Sequence, residues 1–109
     1  NNNDYSCHNH SCFKYLIQHN NFKFFASVFF DYFGNFNFRN NKKKNISKPE
    51  MWRFCYIAKR CIDYKRTNML LLLLDYVKFD GETCQTILQY AIDLKFDDIR
   101  KIISEKIDI

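Results

Sequence analysis

The stretch Cys61-Ile62-Asp63-Tyr64-Lys65 recurs thirty residues later as Ala91-Ile92-Asp93-Leu94-Lys95. Past it, Met69 matches Ile99, Leu72 matches Ile102 and Leu73 matches Ile103. Upstream, Phe29-Phe30-Asp31-Tyr32 falls over Leu73-Leu74-Asp75-Tyr76 at an offset of 44, the extra length lying in a Lys-rich stretch. A period near 30 constrains the chain strongly. One short unit cannot bury its apolar face alone, so neighbouring units must stack and share a continuous core.

Composition points to helical units. Gly and Pro together number only three in 109 residues, too few for the turns every ~8–12 residues of a β-sandwich. Apolar residues make up 47%, enough for one domain with a real core. Asn, Lys, Ile, Phe and Tyr are all encoded by A/T-rich codons. The Asn runs and the aromatic excess therefore carry no functional weight by themselves.

Local signals place six helices. Phe13, Leu16 and Ile17 share one face of a helix predicted from about Ser11 to His19, and Asn20-Asn21 reads as a turn. A second helix runs from about Phe22 to Phe33, with Gly34 placed to end it. Phe36 to Pro49 reads as an exposed basic loop. Ser47-Lys48-Pro49-Glu50 then carries the signature of a helix start, and the third helix covers about Pro49 to Tyr64. Thr67 or Asn68 caps a fourth helix, Met69 to Tyr76. Its leucine run would suit a buried strand as well, but Leu has high helix propensity and no β-branch. Phe79-Asp80-Gly81 is a turn signal, followed by helices from about Cys84 to Leu94 and Asp97 to Lys106. The fold class is therefore all-α, a stack of about three helix-turn-helix units. The divisions are a polar tail (1–10), unit one (11–35), a basic loop (36–48), unit two (49–79) and unit three (80–109).

Thr86-Ile87-Leu88-Gln89-Tyr90-Ala91, followed by Ile99-Arg100-Lys101-Ile102-Ile103, resembles the T-P-L-H-x-A and V-x-x-L-L segments of an ankyrin repeat. Ile87 stands for the family's Pro, Gln89 for its His, and Lys95 or its neighbours for the glycine of its inter-helix turn. The second unit keeps the apolar spacing, and the first keeps less. Degenerate repeats of this composition look like the ankyrin proteins of large DNA viruses and A/T-rich parasites. The resemblance implies a non-catalytic intracellular module, cytoplasmic or nuclear, that holds a partner protein along its inner helices and link tips and needs no cofactor. Phe79, Asp80 and Glu82, with Arg39, Lys42, Lys43 and Lys44 of the basic loop, are the candidate contacts.

Charge opens a second reading. Residues 1–66 carry 12 basic and 4 acidic side chains, and residues 67–109 carry 5 and 8. Arg39 to Lys48, beside Phe36 and Phe38, has the basic and aromatic residue types that touch RNA. The bland account is a solvated loop. Cys7, His8, His10 and Cys12 are zinc-ligand types, but four of them in six residues match no usual spacing. No glycine-rich phosphate loop, H-E-x-x-H or nucleophile turn is present, so no enzyme is expected. Cys55 and Cys61 fall in an apolar pattern as small core residues of a reducing compartment. No run approaches the ~20 apolar residues of a membrane span, so no membrane contact is expected. The phenylalanines of the second helix cannot all face one core. Some form a partner patch, or residues 1–21 and the loop cover them. Ile107 and Ile109 are a poor apolar end, which calls for a further unit or a partner there.

Overall fold

The computed structural model describes residues 10–34 and 43–107. They form an all-α architecture of three antiparallel helix pairs: α1 (His10–Gln18) with α2 (Phe22–Phe33), α3 (Lys48–Asp63) with α4 (Thr67–Tyr76), and α5 (Gly81–Asp93) with α6 (Asp97–Lys106). The first helices pack in the order α1, α3, α5 and the second helices in the order α2, α4, α6. Two short strands, β1 (Lys44–Asn45) and β2 (Val77–Lys78), pair in parallel with Lys44 opposite Val77.

All three pairs turn in the same way. Asn20, Lys65 and Lys95 have φ of 54°, 55° and 62°. Each is followed by a residue near φ −90° and ψ 80°: Asn21, Arg66 and Phe96. The N–H groups of those followers donate to Leu16, Cys61 and Ala91, five residues back. The N–H groups of the left-handed residues donate to Ile17, Ile62 and Ile92, three back. This doubled bond satisfies the orphan carbonyls of a helix end. It sets the offset between units one and two at 45 residues, so the match read at 44 is one residue out of register. In the corrected register Phe25 answers Leu70 and Phe29 answers Leu74, all buried.

The other ends of α3 and α5 are also alike. Ser47 and Asp80 cap them with φ −73° and ψ near 168°, and lie 33 residues apart, as do the paired strands. Ser47 and Glu50 form a capping box, while Asp80 accepts the Thr83 N–H at 2.7 Å. That cap starts α5 at Gly81, three residues before the expected Cys84, so Gly81 opens a helix instead of sitting in a turn. Since α3 has 16 residues and α5 has 13, the caps differ by 33 while the turns differ by 30. Gly34 ends α2 at φ 59° and ψ −115°, a region that a Cβ disfavours.

Burial follows the unit register. The positions of Phe25 and Phe29 are filled by Leu70 and Leu74 in unit two, and all four are buried. In unit three the same positions are Arg100 and Ser104, both exposed. These positions face the next unit, and α6 therefore presents a polar face there. Going the other way, Met69 and Ile99 are buried against the preceding unit, while the equivalent Phe24 is 58% exposed. The phenylalanine excess of α2 thus divides: Phe25 and Phe29 fill the seam, and Phe22, Phe24 and Phe30 reach solvent. The first seam is aromatic, with Phe13 edge-on to Phe25 at 5.3 Å and to Phe54 at 6.3 Å. The second is aliphatic, built on Ile62, Met69, Ile87, Ile99 and Ile103. Ile107 is buried as well and is no exposed end, while Ile109 lies outside the described residues.

Arg66 ties the first two units at their turns. Its Nε donates to the Ile17 carbonyl at 2.8 Å and its Nη2 to Gln18 at 3.0 Å, capping the end of α1. Between units two and three the Lys65 ammonium lies over the Phe96 ring at 4.4 Å. Lys95 has no such contact in the described residues and holds a left-handed conformation that costs an L-residue about 1–2 kcal/mol. Lys95→Gly is therefore expected to raise stability by roughly 0.5–1 kcal/mol, after allowance for the looser unfolded chain. A urea midpoint that stays put or falls would contradict this account of the turn.

Candidate functional site

The exposed sides of α3 and α5 lie next to each other and carry matching stripes. On α3 the stripe is Lys48, Trp52, Cys55, Tyr56, Lys59 and Asp63. On α5 it is Glu82, Thr86, Gln89 and Asp93. Both follow helical spacing, so each set projects from one side of its helix. Two hollows run between them. One of about 520 Å³ is lined by Lys59, Gln85, Tyr90 and Asp93 among others; the second, about 170 Å³, lies beside Trp52, Cys55 and Asp80. Glu82 and Thr86 belong to both, so they make one groove.

Trp52 dominates this surface. It is the chain's single tryptophan and is 74% exposed. Tryptophan is among the residue types enriched at the anchor points of protein interfaces. It was not among the sequence candidates. Its signal was present, since it lies at helical spacing on the side of α3 that carries Lys48, Lys59 and Asp63.

The wall of the groove is held by a hydrogen-bonded set. The Tyr90 hydroxyl donates to Asp63 Oδ1 at 2.6 Å and accepts from Arg60 Nη2 at 3.0 Å. Arg60 Nε is 2.7 Å from Asp63 Oδ2, a close ion pair whose N–H is not aligned for a hydrogen bond. The guanidinium stacks on Tyr56 at 4.8 Å, and the Lys59 ammonium sits over the Tyr90 ring at 5.5 Å. The bond to Asp63, with burial adding to it, pushes the Tyr90 hydroxyl above its ordinary value of 10.0. It remains a neutral donor at physiological pH. Burial likewise pushes the Cys55 thiol up, against the pull of Lys59, so it stays protonated. Cys61 is fully buried and is pushed up further.

A second tyrosine clamp joins α2 to α3. The Tyr32 hydroxyl donates to Glu50 Oε2 at 2.6 Å and accepts from Arg53 at 3.2 Å. Thus α3 grips both neighbours in one manner, with an acid and an arginine three residues apart at each end and a tyrosine hydroxyl between them.

The sequence candidates distribute unevenly over this geometry. Glu82 lies in the groove, exposed. Asp80 is at its edge, where its carboxylate is committed to capping α5 and sits 3.9 Å from the Lys48 ammonium. Phe79 is a correction: at 8% exposure it is part of the core and is no contact residue. Lys43 and Lys44 are half-buried, and Lys44 is in β1, so this part of the expected free loop is paired structure. Lys43 lines a small hollow of about 70 Å³ with Leu74, Val77 and Phe79, away from Trp52. Arg39 and Lys42 lie outside the described residues, as do Cys7 and His8 of the proposed zinc set. His10 opens α1 and Cys12 is half-buried within it, and among the described residues no cluster of three metal-ligand types occurs. No described helix is long and apolar enough to cross a membrane. Set beside family models, curated proteins and solved structures, the chain finds no match in any of the three.

Glu50 provides a pH test of the clamp geometry. The hydrogen bond from Tyr32 holds its carboxyl below the ordinary 4.5, with help from Ser47 and against burial. A depressed carboxyl stabilises the fold above its unfolded value and loses that contribution as pH falls through the folded value. The stability gap between the native protein and Glu50→Gln is therefore expected to be largest near neutrality and to shrink below pH 4.5. Urea unfolding of both at pH 7 and in acid measures it. A gap independent of pH would mean that the ionised carboxylate contributes nothing.

Proposed function

We propose that the protein is a non-catalytic helix-pair repeat module, a short ankyrin-like solenoid, which binds a partner protein along the groove between α3 and α5. The observation that carries this reading is Trp52, an exposed indole beside a groove whose wall is already ordered by the Tyr90–Asp63–Arg60 set. A pre-ordered wall loses little entropy on binding. The repetition of one turn at Asn20, Lys65 and Lys95, and the stacking order of the helices, support the repeat reading. The groove also suits an extended surface contact better than a small ligand. Its larger hollow is a trough rimmed by exposed Glu82, Gln85, Gln89 and Asp93, whereas small-molecule sites bury most of their ligand. An intracellular setting accords with the free thiols of Cys12, Cys55, Cys61 and Cys84.

The test is retention of proteins from a cell lysate at low and high salt, with nuclease added, by the native chain and by Trp52→Ala. An exposed position tolerates this change with little effect on folding. The expected result is a defined protein whose retention survives salt and nuclease and falls more than about tenfold in the variant, as for an interface anchor. Equal retention by both proteins would remove the groove from the account. Capture lost to nuclease would favour RNA instead.

A further inference from the structure

The charged groups of the groove are not equally committed. Asp80 caps α5 and sits close to Lys48, Asp93 accepts from Gln89 Nε2 at 2.8 Å, and the Lys59 ammonium covers the Tyr90 ring. Glu82 alone among them has neither a hydrogen bond nor an ion pair from its carboxylate among the described residues. It lines both hollows, and in the smaller it shares the walls with Trp52. The chain carries a formal charge of +5, yet its most open aromatic group faces a groove with three carboxylates and two ammonium groups. The local charge runs against that of the molecule.

An exposed indole face next to an unpaired carboxylate is a complement for a cation. The ring quadrupole attracts it, and the carboxylate pairs with it. A guanidinium fits better than an ammonium because it is planar, weakly hydrated and able to stack on a ring while donating in its own plane. The size agrees. The smaller hollow, about 170 Å³, lies below the ~300–1,000 Å³ typical of sites for whole small molecules. A single side chain is the natural occupant, and the backbone that carries it continues along the larger trough. With Lys48 beside Asp80 and Lys59 over the Tyr90 ring, a phosphate next to the indole would meet the unpaired Glu82 carboxylate, which disfavours it.

We propose that the groove takes an extended segment of the partner protein through an arginine whose guanidinium lies on the Trp52 indole and pairs with Glu82. This rests on the reading of the groove as a protein-binding surface. Since Trp52 is the single tryptophan, its emission reports on the groove alone. The probe is a blocked Ala-Arg-Ala peptide titrated into the intact chain, beside the same peptide with uncharged, isosteric citrulline. A saturable change in emission is expected with arginine. The affinity should fall about tenfold with citrulline, which loses both the ring contact and the ion pair, and roughly two- to fivefold for arginine in Glu82→Gln, which loses the exposed ion pair alone. Glu82 is exposed and its carboxylate makes no hydrogen bond or ion pair among the described residues, so the variant keeps the fold. Equal response to both peptides, an unchanged affinity in Glu82→Gln, or no response at all would overturn the arginine assignment. So would a response confined to a poly-uridine oligonucleotide. If the peptide fails while Trp52→Ala still abolishes retention of a protein, the chemistry assigned to the partner is wrong and the groove stands. If Trp52→Ala also retains the protein, the groove itself is wrong.

Discussion

Each helix pair depends on one residue held at positive φ. Asn20, Lys65 and Lys95 reverse the chain within two residues, and the bonds to Ile17, Ile62 and Ile92 fix the angle at which the second helix leaves. None of the three is glycine; Asn20 tolerates this conformation, while Lys65 and Lys95 each carry a cost of about 1–2 kcal/mol. The cost is offset by the burial that the turn makes available. In the corrected register it places Phe25 and Phe29, then Leu70 and Leu74, into the seams between units, where each buried side chain contributes roughly 1.5–3 kcal/mol. A turn of different geometry would rotate the second helix and move these residues out of the seam. Unit stacking therefore depends on the turn more than on any single core residue.

The same positions also explain where stacking changes character. Ile17 and Ile62 are fully buried, and their counterpart Ile92 is 40% exposed. On the second helices the change is complete, because Leu70 and Leu74 give way to Arg100 and Ser104. At the opposite face Phe24 stands open where Met69 and Ile99 are covered. The two faces of the described stack are thus unlike: one shows an aromatic ring, and the other is polar on its second helix and partly apolar on its first. On this face α6 is polar where the equivalent positions of α2 and α4 are apolar.

Much of this was legible in sequence, for identifiable reasons. Helices α2 and α6 fall where the sequence put them, since the Asn20-Asn21 turn and Gly34 bound the first, and apolar spacing with the first-turn charges Asp97 and Asp98 marks the second. The capping box at Ser47 and Glu50 was legible because its chemistry is local. The start of α5 was not. Asp80-Gly81 satisfies a turn and a helix cap equally, and only the bond to the Thr83 N–H decides between them. The register of unit one was missed because Asp31-Tyr32 and Asp75-Tyr76 match by residue type at 44, while the turns at Asn20 and Lys65 align at 45. Among candidate contacts, Glu82 reached the groove and Phe79 did not. An apolar residue in a link looks exposed in sequence, but its burial depends on whether the strand before it pairs, and the pairing partner is 33 residues away. The ankyrin resemblance directed attention to link tips and drew it away from Trp52.

The position of the groove between the second and third units follows from helix length. Counted back from the turns, α3 extends 17 residues and α5 extends 14, whereas α1 begins ten residues before Asn20. Trp52 lies 13 residues before Lys65 and Glu82 lies 13 before Lys95, so both stand at the same level of the stack. On the side of α5 the indole is walled by Glu82, Thr83 and Thr86. The clamp of Tyr90 by Asp63 and Arg60 holds α5 against α3 nearer the turns, and the Lys48–Asp80 contact at 3.9 Å joins them at the other end, on either side of the levels of Trp52 and Glu82. In the proposed function, a base ordered in this way would give a bound segment fixed walls, so that one exposed aromatic residue could anchor it at little entropic cost.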